Sequence, residues 1–93
     1  MFKHVVMQKF TDKGDAATAA RLLNALKGKV PTLRDMEVGV NELTTPRSYD
    51  LVLIASFDDE AGYHAYDEHP AHTQVRAFIK PRREKTASVD YTI

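Results

Sequence analysis

The sequence predicts an α+β domain built in the order β-α-β-β-α-β. Three observations predict it. Four stretches read as strands, three by apolar–polar alternation and one by an apolar run. Two stretches carry apolar residues at helical spacing. Gly and Pro punctuate the junctions between them. The whole chain, residues 1–93, reads as one domain, because so short a chain has no room for a second core.

The first strand runs from about Phe2 to Phe10. Phe2, His4, Val6, Gln8 and Phe10 share one face; Lys3, Val5, Met7 and Lys9 share the other. Asp12 or Asp15 is placed to cap a helix, since a short carboxylate accepts from its free N–H groups. Ala16, Ala19, Ala20, Leu23 and Leu26 form one apolar stripe, Gly28 is a natural stop, and Pro31 prevents continuation. A second strand is expected from Arg34 to Glu42, with Met36, Val38 and Val40 on one face. Leu43 to Ser48, with Thr44, Thr45 and Pro46, reads as a hairpin loop. The third strand, Tyr49 to Phe57, has Leu51, Leu53 and Phe57 on one face and Val52 and Ile54 on the other. A strand apolar on both faces is normally central and covered on both sides. Asp58, Asp59 and Glu60 suit the positive end of the next helix, which carries Tyr63, Tyr66 and His69. Pro70 disfavours a helical conformation at His69 but serves as the first residue of a new helix. Ala71, Val75, Phe78 and Ile79 form one face of that helix, and Pro81 ends it. The last strand is expected over Lys85 to Thr92, with Ala87, Val89 and Tyr91 on one face.

This order is the ferredoxin-like plan, a four-stranded antiparallel sheet with helices on one face. Two helices cover only one face of such a sheet. Val6 and Phe10, with one side of the third strand, are expected to supply apolar residues to the uncovered face. A bare apolar face of that size is typical of an interface. The expectation is therefore a homodimer packed sheet against sheet; cover by loops or the C-terminus is the alternative.

Composition narrows the function. Thirteen basic residues balance thirteen acidic ones, so the chain has no global field to hold a polyanion. The only basic cluster, Lys80, Arg82, Arg83 and Lys85, reads as a solvated helix end, and the third strand lacks an RNA-binding signature; no nucleic-acid partner is expected. No apolar run approaches the roughly 20 residues of a membrane span. Lys3, His4 and Lys9 interrupt the start, so no secretory leader is read there and a cytoplasmic location is expected. Without Cys there are no disulfides, thiolate metal sites or thiol nucleophiles. No phosphate loop, nucleophile elbow, flavin motif or haem motif is present, so no cofactor is expected.

The histidines and tyrosines carry what chemistry there is. His69 and His72 are spaced to share a helix face, but Pro70 lies between them, and no metal site is expected. His4 shares its strand face with Val6 and Phe10 and points into an apolar chamber if that face lines a barrel. His72 falls near the start of the helix opened by Pro70, where the positive helix end disfavours imidazolium and leaves a neutral base. Tyr66 can donate to a developing oxyanion. The structural alternative is a Tyr66–His72 hydrogen bond that locks the helix junction, and a His4 satisfied by a backbone carbonyl.

Several segments together resemble the stress-responsive α/β-barrel domain family, often called Dabb. They are FKHVVMQKF, the Pro31 turn, Glu37, Gly39-Val40-Asn41, Tyr49-Asp50-Leu51-Val52-Leu53 and Phe57. Tyr66-Asp67-Glu68-His69-Pro70-Ala71-His72 and Val89-Asp90-Tyr91 complete the set. The Tyr-x-x-His-Pro-x-His element is the most specific part. The resemblance implies a dimeric α+β barrel. Some plant members are cofactor-independent polyketide cyclases, and the resemblance to them points to Tyr66 and His72 as a catalytic pair, with His4 in support. The chain departs from those members at Leu51, where they carry a further pocket His. Two functions are therefore expected in order. The first is a homodimeric stress-responsive protein that binds a small apolar or aromatic molecule through His4, Val6, Tyr66, His69 and His72. The second is a cofactor-independent lyase, cyclase or isomerase.

Overall fold

A computed structural model describes residues 1–93. The elements are β1 (Phe2–Phe10), α1 (Gly14–Asn24), β2 (Asp35–Val40), β3 (Leu51–Phe57), α2 (Glu60–Glu68), α3 (Pro70–Ile79) and β4 (Arg83–Thr92). The strands form one antiparallel sheet in the order β2-β3-β1-β4, the ferredoxin-like arrangement. The two apolar-rich strands, β1 and β3, are the central ones, as their two-sided patterns require.

Local chemistry sets the element ends. The Asp12 carboxylate accepts from Gly14 N–H at 2.9 Å and starts α1. The helix stops at Asn24, and Leu26 is buried in the turns that follow rather than in the helix. Gly28 takes a positive φ of 82°, which a side chain would disfavour. Asp59 caps α2 by accepting from Gly62 N–H at 2.9 Å. Pro70 forces His69 into an extended conformation (ψ 136°), so the second helical stretch is two helices, and Pro70 is the first residue of α3. β3 begins at Leu51 because the chain turns at Asp50. That side chain folds back and accepts from Phe10 N–H at 2.8 Å.

The core lies between one face of the sheet and the helices. Phe2, Val6 and Phe10 of β1 join Leu51, Leu53, Ala55 and Phe57 of β3 beneath Ala16, Ala19 and Leu23 of α1 and Tyr66, Val75 and Ile79. This corrects one expectation: Val6 and Phe10 face the helices, not the open side. Alternation puts the odd-numbered residues of β1 outward. There Val5 pairs with Ile54 and Val89, and Met7 with Val52 and Ala87. With Tyr91 beside Lys3, these form an apolar stripe on the uncovered face, and Met7, Val89 and Tyr91 are exposed. The apolar open face is therefore present, but built from other residues of the same strands.

Candidate functional site

The α2–α3 pair leans over the β1–β4 ribbon and encloses a cleft of about 200 Å³. The β1–β4 register sets the cleft floor, where Val6 faces Ser88 and Gln8 faces Thr86; His4 lies opposite Asp90 at one end, and Arg83 opposite Phe10 past a bulge at the other. Tyr63, Tyr66 and Asp67 of α2 and His72, Val75 and Arg76 of α3 form the roof.

Four of the five sequence-predicted residues meet here: His4, Val6, Tyr66 and His72 all line the cleft. His69 does not. Its Nδ1 accepts from Ala71 N–H at 3.0 Å, which makes it the cap of α3 and places it outside the lining.

Tyr66 and His72 are held together by ring packing, with centroids 4.3 Å apart and planes inclined at 42°. The hydrogen bond expected between them is absent. Tyr66 is 1% exposed, and its hydroxyl has no partner. Burial, reinforced by the negative Asp67, raises its pKa, so the phenol stays a donor.

His72 bonds instead to the chain turn beside it. Pro70 ends α2 and leaves the Asp67 carbonyl without a complete set of helical partners. His72 Nδ1–H donates to that carbonyl at 3.0 Å. A carbonyl only accepts, so the Nδ1 proton is fixed and Nε2 keeps its lone pair. Arg76 Nη2 lies 3.3 Å from the same ring nitrogen and donates to the Asp67 carbonyl at 3.1 Å and to its carboxylate. Burial lowers the His72 pKa, and the Arg76 charge lowers it further. The lowered pKa, with burial as its leading cause, favours the neutral imidazole, whose Nε2 is then an acceptor.

His4 Nδ1–H donates to the Asp90 carboxylate rather than to a backbone carbonyl, and its ring packs 4.6 Å from that of Tyr63. Burial raises the Tyr63 pKa, with Asp67 and Asp90 adding to the effect. Gln8 is 6% exposed, and its Oε1 has no hydrogen-bond partner. The cleft therefore offers a phenol donor, an imidazole acceptor and a free carboxamide oxygen in a lining of mixed polar and apolar side chains. No group of three or more His, Asp or Glu side chains is placed to hold a metal ion.

Sequence reasoning missed Gln8, Tyr63, Asp67, Arg76, Arg83, Thr86 and Ser88 as lining residues. Two were accessible to it: Gln8 is, with His4, a polar residue on a mostly apolar strand face, and Tyr63 stands one helical turn before Tyr66. The rest depend on the helix junction and on strand register.

Residues 2–93 match the family described as Stress Responsive A/B Barrel Domain, and the chain belongs to it. Among solved structures it is similar to a dimeric protein of unknown function and ferredoxin-like fold from Bacteroides fragilis. They share 26% identity with a TM-score of 0.87, over 99% of this chain and 95% of that one. A dimeric ferredoxin-like protein of unknown function from Thermobifida fusca shares 24% identity at a TM-score of 0.86, over 99% and 90%. A hydroxynitrile lyase from Passiflora edulis has the same fold at 13% identity and a TM-score of 0.83, over 99% and 92%. No curated protein matches the chain. No helix is long and apolar enough to cross a membrane.

Proposed function

We propose that this Dabb-domain protein is a homodimer that holds a small organic molecule in the cleft between β4 and the α2–α3 pair. The observation that carries this reading is the Tyr66 hydroxyl, buried at the cleft wall without a partner. Buried polar atoms are almost always paired, and an unpaired one costs free energy that a ligand acceptor would recover. Gln8 Oε1, an unpaired acceptor in the same cleft, would take a ligand donor. At about 200 Å³ the space suits a ligand smaller than a drug-sized compound. The apolar open face supports the dimer, and the Bacteroides fragilis and Thermobifida fusca proteins are themselves described as dimeric. The cytoplasmic setting expected from the sequence is part of this reading.

A thermal-shift panel of small aromatic acids, amides and alcohols tests the binding. Ligands should raise the melting temperature of the wild type through linkage. Ser88→Phe, which puts a ring into the cleft from an exposed position on β4, should remove the shift. Equal shifts in the blocked variant, or none with any compound, would defeat the reading.

A second reading, cofactor-independent acid–base catalysis, is favoured by the fixed His72 tautomer. Nε2 is free to take a proton while Tyr66 donates to a developing oxyanion. The Passiflora edulis lyase shares the fold alone and lends no residue roles. Tyr66→Phe and His72→Asn should each lower turnover of a true substrate by roughly 100-fold or more.

A further inference from the structure

The cleft contains two guanidinium groups in different states. Arg76 is spent: its Nη2 donates to the Asp67 carboxylate and carbonyl. Arg83 is partly buried at the start of β4, lines the cleft, and makes no ion pair. The other charged residues that line the cleft, Asp67 and Arg76, answer each other. One positive charge is left uncompensated inside a partly desolvated cleft.

Its position relative to the unpaired polar atoms gives it a role. Past the bulge Arg83 stands opposite Phe10, and Thr86 opposite Gln8, so Arg83 and Gln8 belong to the same end of the floor. His4, paired with Asp90, marks the other end, four strand residues or roughly 13 Å from Gln8. The free groups therefore fall into two sets. Arg83 offers donors at one end, beside the Gln8 Oε1 acceptor. The Tyr66 hydroxyl and the His72 lone pair offer a donor and an acceptor on the roof.

We infer that the cleft selects an organic monocarboxylate, with Arg83 reading the carboxylate and Gln8 Oε1, Tyr66 and His72 reading a second polar group or the apolar body. This rests on the cleft being the ligand site, and it adds the ligand's charge class and a specificity-determining residue. A planar guanidinium fork matches a carboxylate bidentately, and such charge-assisted bonds are about twice as strong as neutral ones. A neutral isostere of the same shape should bind much less well, because it offers no charge to Arg83.

The test is calorimetric titration of the protein with 3-phenylpropionate and with 3-phenylpropionamide, which differ only in the charged end. The wild type should prefer the acid by roughly tenfold or more, the scale of one charge-assisted hydrogen bond. Arg83→Gln, at a partly exposed strand position, should erase the preference by weakening the acid alone. Added salt should weaken the acid and spare the amide. If both compounds bind equally, or if Arg83→Gln keeps the preference, the charge assignment is wrong while the cleft stands as a binding site. If neither compound binds, the carboxylate assignment falls, and the cleft as a ligand site stands or falls with the broader thermal-shift panel.

Discussion

Tyr66→Phe removes one oxygen from the core and nothing else. On folding, the Tyr66 hydroxyl loses its water, because it is buried and finds no protein partner. Protein mutational data put the cost of such a group at about 1–3 kcal/mol. The variant recovers part of that cost, offset by the small void where the oxygen stood. A net effect of 0 to about 2 kcal/mol in favour of the variant follows. For a domain of this size each kcal/mol moves the melting temperature by roughly 4–8 °C. The ligand-free variant should therefore melt at or above the wild-type temperature, by as much as roughly 16 °C. Circular dichroism melts at one shared protein concentration measure this, since a dimer's melting temperature depends on concentration. A Tyr66–His72 hydrogen bond, the expectation from sequence, has the opposite sign: its loss would strand the imidazole partner and lower the melting temperature. A clear fall in the Tyr66→Phe melt would refute the reasoning, because it would mean that the hydroxyl is satisfied in the folded state. The same variant should bind ligand less well, so stability and binding should move in opposite directions.

Three further outcomes follow from the structure. The His72 pKa is lowered from 6.5 by burial, so the unfolded chain takes up its proton first as pH falls. Its contribution to stability is complete above pH 6.5 and is lost as pH drops through the lower folded value; the pH slope of stability over that window should flatten in His72→Asn. Asp50 is 5% exposed and accepts from Phe10 N–H at 2.8 Å. Asp50→Ala should cost about 2 kcal/mol by leaving that N–H unpaired, read as a melting-temperature fall of roughly 8–16 °C. An unchanged melt would show that water replaces the carboxylate. Sedimentation equilibrium at low micromolar concentration should give twice the 10.5 kDa chain mass, and Val5→Asp, in the centre of the open face, should shift the protein toward monomer. A folded 10.5 kDa wild-type monomer would remove the dimer.

Most of the fold was legible because its signals are local. Strand alternation, the Asp59 cap region and the Pro70 break each act over a few residues, and the elements formed near their patterns, though α1 ends at Asn24, before the Leu26 and Gly28 at which its pattern ends. The side of the sheet was not. Alternation says that Val6 and Met7 point oppositely; it does not say which one the helices cover. Phe2, Val6 and Phe10 are the bulkier apolar set, and burying them against three helical segments decided the matter. The site divides in the same way. His4, Tyr66 and His72 could be picked out by residue type and motif. The partners that give them their states could not. His72 bonds to a carbonyl exposed by a helix break, and His4 meets Asp90 across 86 positions of sequence. Arg83 enters the cleft because a bulge between Lys9 and Phe10 shifts the register of β1 against β4, which no local pattern reveals. His69 shows the reverse error. Its residue type suggested a ligand contact, but the proline after it had already assigned it a capping role.

Occupancy of the cleft is tested most directly by a proton–nitrogen correlation spectrum of labelled protein titrated with 3-phenylpropionate. The backbone amides of Gln8, Tyr66, His72, Arg76 and Ser88 should shift together along one saturating curve. Those of Met7, Val52 and Ile54 on the open face should stay in place. Shifts confined to the open face, or none at any residue around Tyr66 and His72, would contradict a ligand site beneath α2 and α3.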